Sequence, residues 1–341
     1  MSFKVKIKAS GNTFNTEMNE SILEAALKHN IVLPYGCKNG SCGACKGKVV
    51  DGIVDYGQYQ PSALGDHEKK VGMALFCQAT PKSDLLIEAR EVMGASDIEV
   101  RRLPSRVQSL EKVADDVVVL KLKLPSSETL QFLPGQYVDI LLRDGKRRSY
   151  SMANSPSQNE YVELHVRNME NGTFTKQVFE SMKVKDILRF EGPLGTFFFR
   201  EDSEKPIIFV ASGTGFAPIK SILEYAFEKG VERPMTLYWG GRRPKDIYMK
   251  NLVDQWTSDY RNFKFVPVIS DQLKEDAWTG RDGLVHHAVM ADYPDLSSHQ
   301  IYACGVPVMV ESAQRDFVAN CNLPAEEFYS DAFTPPVDPK M

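Results

Sequence analysis

The segment Cys37-Lys-Asn-Gly-Ser-Cys42-Gly-Ala-Cys45 sets three cysteines at the spacing C-x4-C-x2-C, and a fourth follows at Cys77. Four of the six cysteines thus fall in the first 77 residues, a crowding more natural for a ligand set than for a disulfide framework. Gly36, Gly40, Gly43 and Gly47 suit a backbone that wraps tightly and aims N–H groups at sulfur. The spacing is that of a [2Fe–2S] ligand set made by Cys37, Cys42, Cys45 and Cys77. Structural zinc and plain buried thiols are the other readings. Zinc sites usually pair two C-x2-C knuckles or add histidines, and neither arrangement occurs here.

The neighbouring sequence agrees with a small domain built around that loop. Ser21 and Glu24 form a capping box ahead of Ile22, Leu23, Ala26 and Leu27, a helix with one apolar face. Val49 to Val54 reads as a hairpin about the Asp51-Gly52 turn. With its four cysteines in place, this first stretch of about 90 residues resembles a plant-type ferredoxin domain, and the resemblance implies a β-grasp fold. Residues 1–95 hold 11 Lys+Arg and 10 Asp+Glu, so the strongly acidic face of free plant ferredoxins is absent, and docking in cis would account for that.

Length and composition bound the rest. A chain of 341 residues suits two or three domains, and 43% hydrophobic with 25% charged residues are globular values. The 41 Lys+Arg and 45 Asp+Glu leave a formal charge of −4 with no block of like charge, so nucleic acid is not an expected partner. The amino terminus alternates Phe3, Val5 and Ile7 with lysines, as a half-buried strand does and a signal peptide does not. The longest apolar run of interest, PIIFVA at 206–211, is far short of the roughly 18–20 residues of a membrane span. A cytoplasmic protein with no membrane contact is expected.

Residues 93–105, polar and containing Gly94 and Pro104, read as a linker. Beyond it come the short strands 117–124, 137–142, 161–166 and 186–192, whose close spacing suggests a barrel. After Pro206 the pattern changes to strand, turn and helix, with IIFVAS, IKSILEYAFEKG, MTLYWG, FKFVPVIS and QIYACG, which suggests a parallel sheet flanked by helices. There is no internal repeat, and the proline-rich TPPVDPK is expected to fray. The expected fold class is therefore multidomain α+β and α/β, with a ferredoxin domain at 1–95, an antiparallel β-barrel domain at 101–200 and a parallel-sheet α/β domain at 205–341.

Arg148-Ser149-Tyr150-Ser151 puts a phosphate-binding cation, an aromatic face and a hydroxyl close together on a strand, with Arg148 and Tyr150 on one side. Such a group can hold a flavin, or Tyr150 can be core and Arg148 a solvated cation. Gly172-Thr173-Phe174-Thr175 opens a helix whose free N–H groups can receive a pyrophosphate or simply be capped. Taken in order, PGQY at 134–137, RSYS at 148–151, GTFT at 172–175 and GPLG at 192–195 resemble the ferredoxin–NADP reductase superfamily over residues 101–335. The resemblance implies FAD in preference to FMN. It lays Tyr150 along the isoalloxazine ring, brings Ser151 to the N5 edge, and gives Arg148 and Thr175, with Gly172 and Thr173, the pyrophosphate. Phe333, in EFYSDAF, would correspond to the aromatic residue that covers the flavin.

Gly213-Thr214-Gly215-Phe216-Ala217-Pro218 lies between a buried strand and a helix, where a dinucleotide pyrophosphate can use helix N-terminal amides, although a tight turn alone would look the same. In the superfamily this is the nicotinamide dinucleotide segment, carried here by Gly213, Thr214, Gly215 and Pro218, and Cys304-Gly305-Val306-Pro307 matches the second one. That match sets Cys304 beside the hydride path, a buried structural thiol being the other reading; Cys321 reads as structural. In Gly240–Asp246, Arg242 and Arg243 could pair with a 2′-phosphate while Asp246 disfavours it, and the balance leans to NADH with NADPH possible.

The whole chain resembles the reductase components of bacterial phenol, toluene and methane monooxygenases and the CDP-6-deoxy-3,4-glucoseen reductases. That resemblance implies electron transfer from NADH through FAD and the [2Fe–2S] cluster to a partner oxygenase or dehydratase, with Ser151, Cys304 and Phe333 nearest the reacting atoms. A non-catalytic redox sensor or carrier has no use for the nicotinamide segments. A flavin or quinone reductase would leave the ferredoxin domain without purpose.

Overall fold

The alternating amino terminus forms a strand because Val5 and Ile7 point one way into the core while the lysines point out. The computed structural model describes residues 2–92, 94, 98–170 and 172–334. It contains two compact units, one within the described part of residues 2–99 and one spanning Val100–Phe333.

In the first unit, β1 (Phe3–Ile7), β2 (Thr13–Thr16), α1 (Ile22–Lys28), β3 (Lys46–Asp51), β4 (Val54–Asp55), α2 (Asp66–Lys70), β5 (Met73–Leu75), β6 (Thr80–Pro81) and β7 (Leu85–Glu88) follow in order. A five-stranded mixed sheet has the order β2-β1-β7-β3-β5, in which only β1 and β7 are parallel. The capping box forms as expected: the Glu24 N–H donates to Ser21 Oγ at 3.2 Å and the Ser21 N–H to Glu24 Oε2 at 3.4 Å. It starts α1 so that Ile22, Leu23, Ala25 and Ala26 are buried. The expected hairpin at 49–54 is not formed. Strand β3 has β7 on one side and β5 on the other, which leaves no edge for the chain beyond Gly52, and β4 pairs instead with β6.

The second unit begins with β8 (Arg101–Ala114), β9 (Val117–Lys123), β10 (Tyr137–Leu141), β11 (Arg147–Ser151), β12 (Tyr161–Arg167), α3 (Thr173–Glu180) and β13 (Ile187–Leu194). Six antiparallel strands run in the order β11-β10-β13-β8-β9-β12, and a bridge between Met152 and Leu164 joins the two ends, closing the barrel. The second half of the expected linker is strand. Leu103, Ser105 and Val107 point inward between exposed neighbours, and the inward serine, bonded to the Leu188 carbonyl at 3.2 Å, hides the alternation from a hydropathy reading. Residues 93 and 95–97 of that linker lie outside the described residues.

The chain then forms β14 (Ile207–Ser212), α4 (Phe216–Glu228), β15 (Met235–Gly241), α5 (Lys250–Asp259), β16 (Phe263–Ile269), β17 (Arg281–Asp282), α6 (Val285–Asp292), β18 (Gln300–Gly305), α7 (Pro307–Asn320) and β19 (Phe328–Ala332). The sheet is parallel throughout, ordered β17-β16-β15-β14-β18-β19. Alternate residues of β14 enter two different cores, Ile207, Phe209 and Ala211 on one face and Ile208 and Val210 on the other, so the strand is apolar throughout. EFYSDAF, the segment that holds Phe333, supplies β19. TPPVDPK lies outside the described residues apart from Thr334. Among the described residues no helix is long and apolar enough to cross a membrane.

Candidate redox centres

The loop between α1 and β3 carries Cys37, Cys42 and Cys45, and Cys77, just after β5, joins them. Cys37 pairs with Cys42 and Cys45 with Cys77, and none forms a disulfide. The Cys37 N–H points at Cys42 Sγ and the Ser41 N–H at Cys37 Sγ, each at 3.4 Å. The hydrogen bond from Cys42 and the backbone amides of Asn39, Ser41 and Cys42 lower the Cys37 thiol to about 6. Its bond to Cys45 lowers Cys77 as well, whereas Cys42 and Cys45 are raised by those same bonds and by burial. Gly40 has φ +76°, and a Cβ there would sit 2.7 Å from the Gln58 carbonyl oxygen, so only glycine lets the loop close this tightly. The Ser41 hydroxyl is buried with no protein partner, beside Cys37. Four convergent soft donors, amides aimed at sulfur and an unsatisfied hydroxyl fit an iron–sulfur cluster.

In the barrel, strand β11 presents Arg148 half-exposed, its guanidinium donating to the Arg147 carbonyl at 2.8 Å; among the described residues no carboxylate pairs with it. Tyr150 packs its ring on Phe174 of α3 at 5.4 Å, and burial raises its hydroxyl well above the ordinary phenol range. Helix α3 starts at Gly172 without a side-chain cap, which leaves first-turn amides at Thr173 and beyond for an anion. The Thr175 hydroxyl, buried, is taken up within the turn: it donates to the Gly172 carbonyl at 3.1 Å and accepts the Met169 N–H at 3.3 Å. Thr175 thus shapes the turn, and the uncapped amides and Arg148 are the groups left to meet phosphate. This donor set fits a flavin dinucleotide.

In the α/β layer, Gly213–Gly215 forms a single tight turn leading into α4, with half-buried Thr214 and with Pro218 buried in the first helical turn. A Cβ on Gly215 would lie 2.1 Å from the Cys304 carbonyl oxygen, so this turn and the Cys304-Gly305 turn make direct backbone contact. The Val306 N–H donates to Ser212 Oγ at 3.0 Å and the Trp239 indole N–H to the Gly213 carbonyl at 3.1 Å, tying the two turns to β15. Cys304 is fully buried at the end of β18, and burial, then the nearby Asp331 charge, pushes its thiol up.

Three of these positions are linked through their neighbours. Asp331 of β19 lies in register with Cys304, Ser151 of the barrel donates to Asp331 Oδ2 at 3.4 Å, and the Phe333 N–H reaches the Gly305 carbonyl at 2.7 Å. Ser151, Cys304 and Phe333 therefore share one wall between the barrel and the parallel sheet. Sequence reading missed Asp331, although it stands two residues before Phe333. It also missed Arg167, whose Nη1 comes to 2.5 Å from where a Cβ on Gly213 would sit, and which pairs with Asp116 at 2.7 Å. Arg242 has an exposed side chain, and its N–H donates to Asp246 Oδ2 at 2.9 Å.

Comparison with known proteins finds three family matches along the chain. Residues 5–82 match the 2Fe-2S iron-sulfur cluster binding domain, 104–199 the oxidoreductase FAD-binding domain and 209–315 the oxidoreductase NAD-binding domain. The chain is 40% identical over 335 residues to the CDP-6-deoxy-L-threo-D-glycero-4-hexulose-3-dehydrase reductase of Yersinia pseudotuberculosis serotype I (strain IP32953), covering 98% of this chain and 99% of that one. It is 36% identical over 317 residues to the phenol hydroxylase P5 protein of Acinetobacter pittii (strain PHEA-2), covering 92% and 89%. The crystal structure of the Amycolatopsis cytochrome P450 reductase GcoB superposes with a TM-score of 0.78 at 31% identity, over 98% of this chain and 99% of that one. With three domains in this order and relatives alike along their whole length, the chain belongs to the [2Fe–2S] ferredoxin-containing reductases of the ferredoxin–NADP reductase superfamily.

Proposed function

We propose that the protein oxidises NADH and passes the electrons, by way of FAD and a [2Fe–2S] cluster, to a separate dehydratase or oxygenase component, working in the cytoplasm, where thiols stay reduced. The proposed division of labour is 1–95 for the cluster, 101–200 for FAD and 205–341 for the dinucleotide. The observation that carries the reading is the contact of Ser151 from the barrel with Asp331, in register with Cys304, from the nucleotide sheet, because it puts the flavin motif and the nicotinamide motif on one wall.

Bound FAD accepts a hydride and gives up electrons singly, and the cluster carries them one at a time. The chain's own residues hold and orient. Cys37, Cys42, Cys45 and Cys77 bind the irons, and the loop amides at Ser41 and its neighbours stabilise negative charge on sulfur. Arg148 and the uncapped start of α3 at Gly172 and Thr173 take the flavin pyrophosphate, and Thr175 shapes the turn that presents those amides. Tyr150 flanks the ring, and Ser151 fixes its reactive edge. Gly213, Thr214, Gly215 and Pro218 bring the nucleotide backbone close to α4, Arg242 faces its ribose end, and Cys304, Gly305 and Phe333 exclude water from the hydride path. In a buried site of this kind fixed dipoles replace water around the reacting atoms.

The test is an anaerobic titration with NADH, following flavin absorbance and the electron paramagnetic resonance of the cluster. Bleaching followed by a rhombic reduced [2Fe–2S] signal is the expected result. Iron and flavin that are both present but reduced neither by NADH nor by NADPH, added next, would end the reading. The acceptor is then sought by adding purified dehydratase and oxygenase components to the reduced protein and measuring reoxidation. Tyr150→Ala is expected to weaken flavin affinity by about tenfold through lost stacking and buried area. The flavin-to-protein ratio after desalting reads this directly, with Tyr150→Phe as the variant that should retain the flavin.

A further inference from the structure

The carboxyl ends of β14 and β15 lie side by side, with Ser212 opposite Gly240. The loop leaving β15 is therefore where the 2′ position of an adenosine ribose falls when its pyrophosphate sits on the turn at Gly213–Gly215. Arg242 and Arg243 stand in that loop, and a 2′-phosphate, with a charge of about −2, is the kind of group a forked guanidinium holds best. The structure commits the second arginine elsewhere. Arg243 Nε donates to Asp276 Oδ2 at 2.6 Å and Nη2 to Asp276 Oδ1 at 2.7 Å, with Glu275 Oε1 a further 3.6 Å from Nη2. Asp276 is itself anchored by the Leu273 N–H at 2.8 Å. Its loop is stitched to the arginine loop by the Ser270 N–H on the Gly241 carbonyl and the Asp271 N–H on the Arg242 carbonyl, both at 2.9 Å. The pair is shielded as well, the side chains of Arg243 and Asp276 being 26% and 14% exposed. Asp246, the acid that sequence reading credited with excluding phosphate, is turned to the backbone, accepting the N–H groups of Arg242 and Arg243 at 2.9 Å each.

We propose that Asp276 is a selectivity residue for the dinucleotide: by closing the Arg243 fork and keeping an acidic charge in the ribose-end loop, it makes the chain take NADH and turn NADPH away. The inference rests on the NADH reading above and assigns its selectivity to a residue outside the nucleotide-binding motifs. Rejection by an occupied cation and a fixed negative charge is specificity through an unfavourable element, which leaves the fit to NADH untouched.

The test uses the holoprotein. Asp276→Asn keeps an oxygen for the Leu273 N–H while removing the charge that holds Arg243. The ratio of kcat/KM for NADPH to that for NADH is expected to rise by about tenfold or more, the scale of one charge-assisted hydrogen bond. In calorimetry with the oxidised protein, 2′,5′-ADP should bind more tightly by a similar factor while 5′-ADP is unchanged. Adding Arg243→Ala should cancel both gains. Unchanged 2′,5′-ADP affinity in Asp276→Asn, or a gain that survives Arg243→Ala, overturns the proposal. Asp276→Ser, whose hydroxyl can also accept the Leu273 N–H, carries the same expectations if the asparagine variant does not fold. Failure of NADH to reduce the wild-type flavin would instead defeat the functional reading, and the calorimetric comparison would still report on Asp276.

Discussion

Cys42→Ser is expected to abolish electron delivery to cytochrome c, by more than about 100-fold, while NADH-to-ferricyanide turnover continues through the flavin. Cys42 takes the Cys37 N–H at 3.4 Å and its thiol pairs with Cys37, so it is half of one of the two sulfur pairs in the loop. A serine oxygen is harder and far less readily deprotonated than a thiol, and it leaves one iron short of a soft ligand. Because the loop is closed by backbone contacts such as Gly40 against Gln58, loss of the cluster should loosen it locally and leave Val100–Phe333 folded. Visible absorbance, iron content and the two acceptor assays are measured on the same sample. Equal loss of both activities would show that electrons do not leave the flavin by way of the cluster and would overturn the order of transfer.

Lys220→Met is expected to cost about 3–5 kcal/mol, a fall in Tm on the order of 10 °C, because it strips the buried one of two cations, Lys220 and Lys121, from a largely buried network. Lys220 Nζ lies 2.7 Å from Glu224 Oε1 and 3.0 Å from Glu163 Oε1, and it donates to the Ala153 carbonyl at 3.2 Å. His165, fully buried, continues the chain, with Nε2 3.2 Å from Glu163 Oε1 and Nδ1 2.7 Å from the Tyr248 hydroxyl. Burial works to raise Glu163, but His165 and Lys220 outweigh it and hold the carboxyl well below the ordinary range. For Lys220 burial favours the neutral amine, and the two glutamates override it and raise the group. Burial pushes Glu224 up, Lys220 notwithstanding. Without the lysine, Glu224 loses its cation while Glu163 keeps Lys121, 3.3 Å from Oε2, and β12 of the barrel loses its ion pair with α4, the helix that follows the Gly213–Gly215 turn. The NADH KM should therefore rise together with the stability loss. Glu224→Gln added to Lys220→Met should recover part of the lost stability, since it removes the carboxylate that lost its cation. A Tm within about 2 °C of wild type would mean that water or rearrangement already compensates the network, and the clamp would have to be abandoned.

Local chemistry made much of the molecule readable. The cysteine spacing announced the cluster loop, since ligands must be gathered over a short span of chain. The capping box formed where Ser21 and Glu24 stand, and β14 was recognisable because a strand covered on both faces is apolar at every position. Elements whose identity depends on a distant partner were not readable. Asp51-Gly52 looks like a hairpin turn, yet whether β4 can pair with β3 depends on β5 and β7 having taken both edges. Strand β8 was concealed by an inward Ser105 whose hydroxyl is satisfied only by the Leu188 carbonyl, 83 residues away.

The same division runs through the sites. Which groups the chain carries was legible locally, namely three closely spaced cysteines with a fourth downstream, an Arg-x-Tyr-Ser strand, a glycine-led helix and two glycine turns, because apart from Cys77 each is a short segment whose backbone geometry is local. Which of them come near one another, and which charges remain available, depends on the packed fold. Asp331 reaches Ser151 across 180 residues of chain, Lys220 binds Glu163 across a barrel-to-helix contact, and Arg243 is closed off by Asp276, 33 residues on. Contacts at such separations depend on how sheets and helices are ordered in space, and no local periodicity records that order.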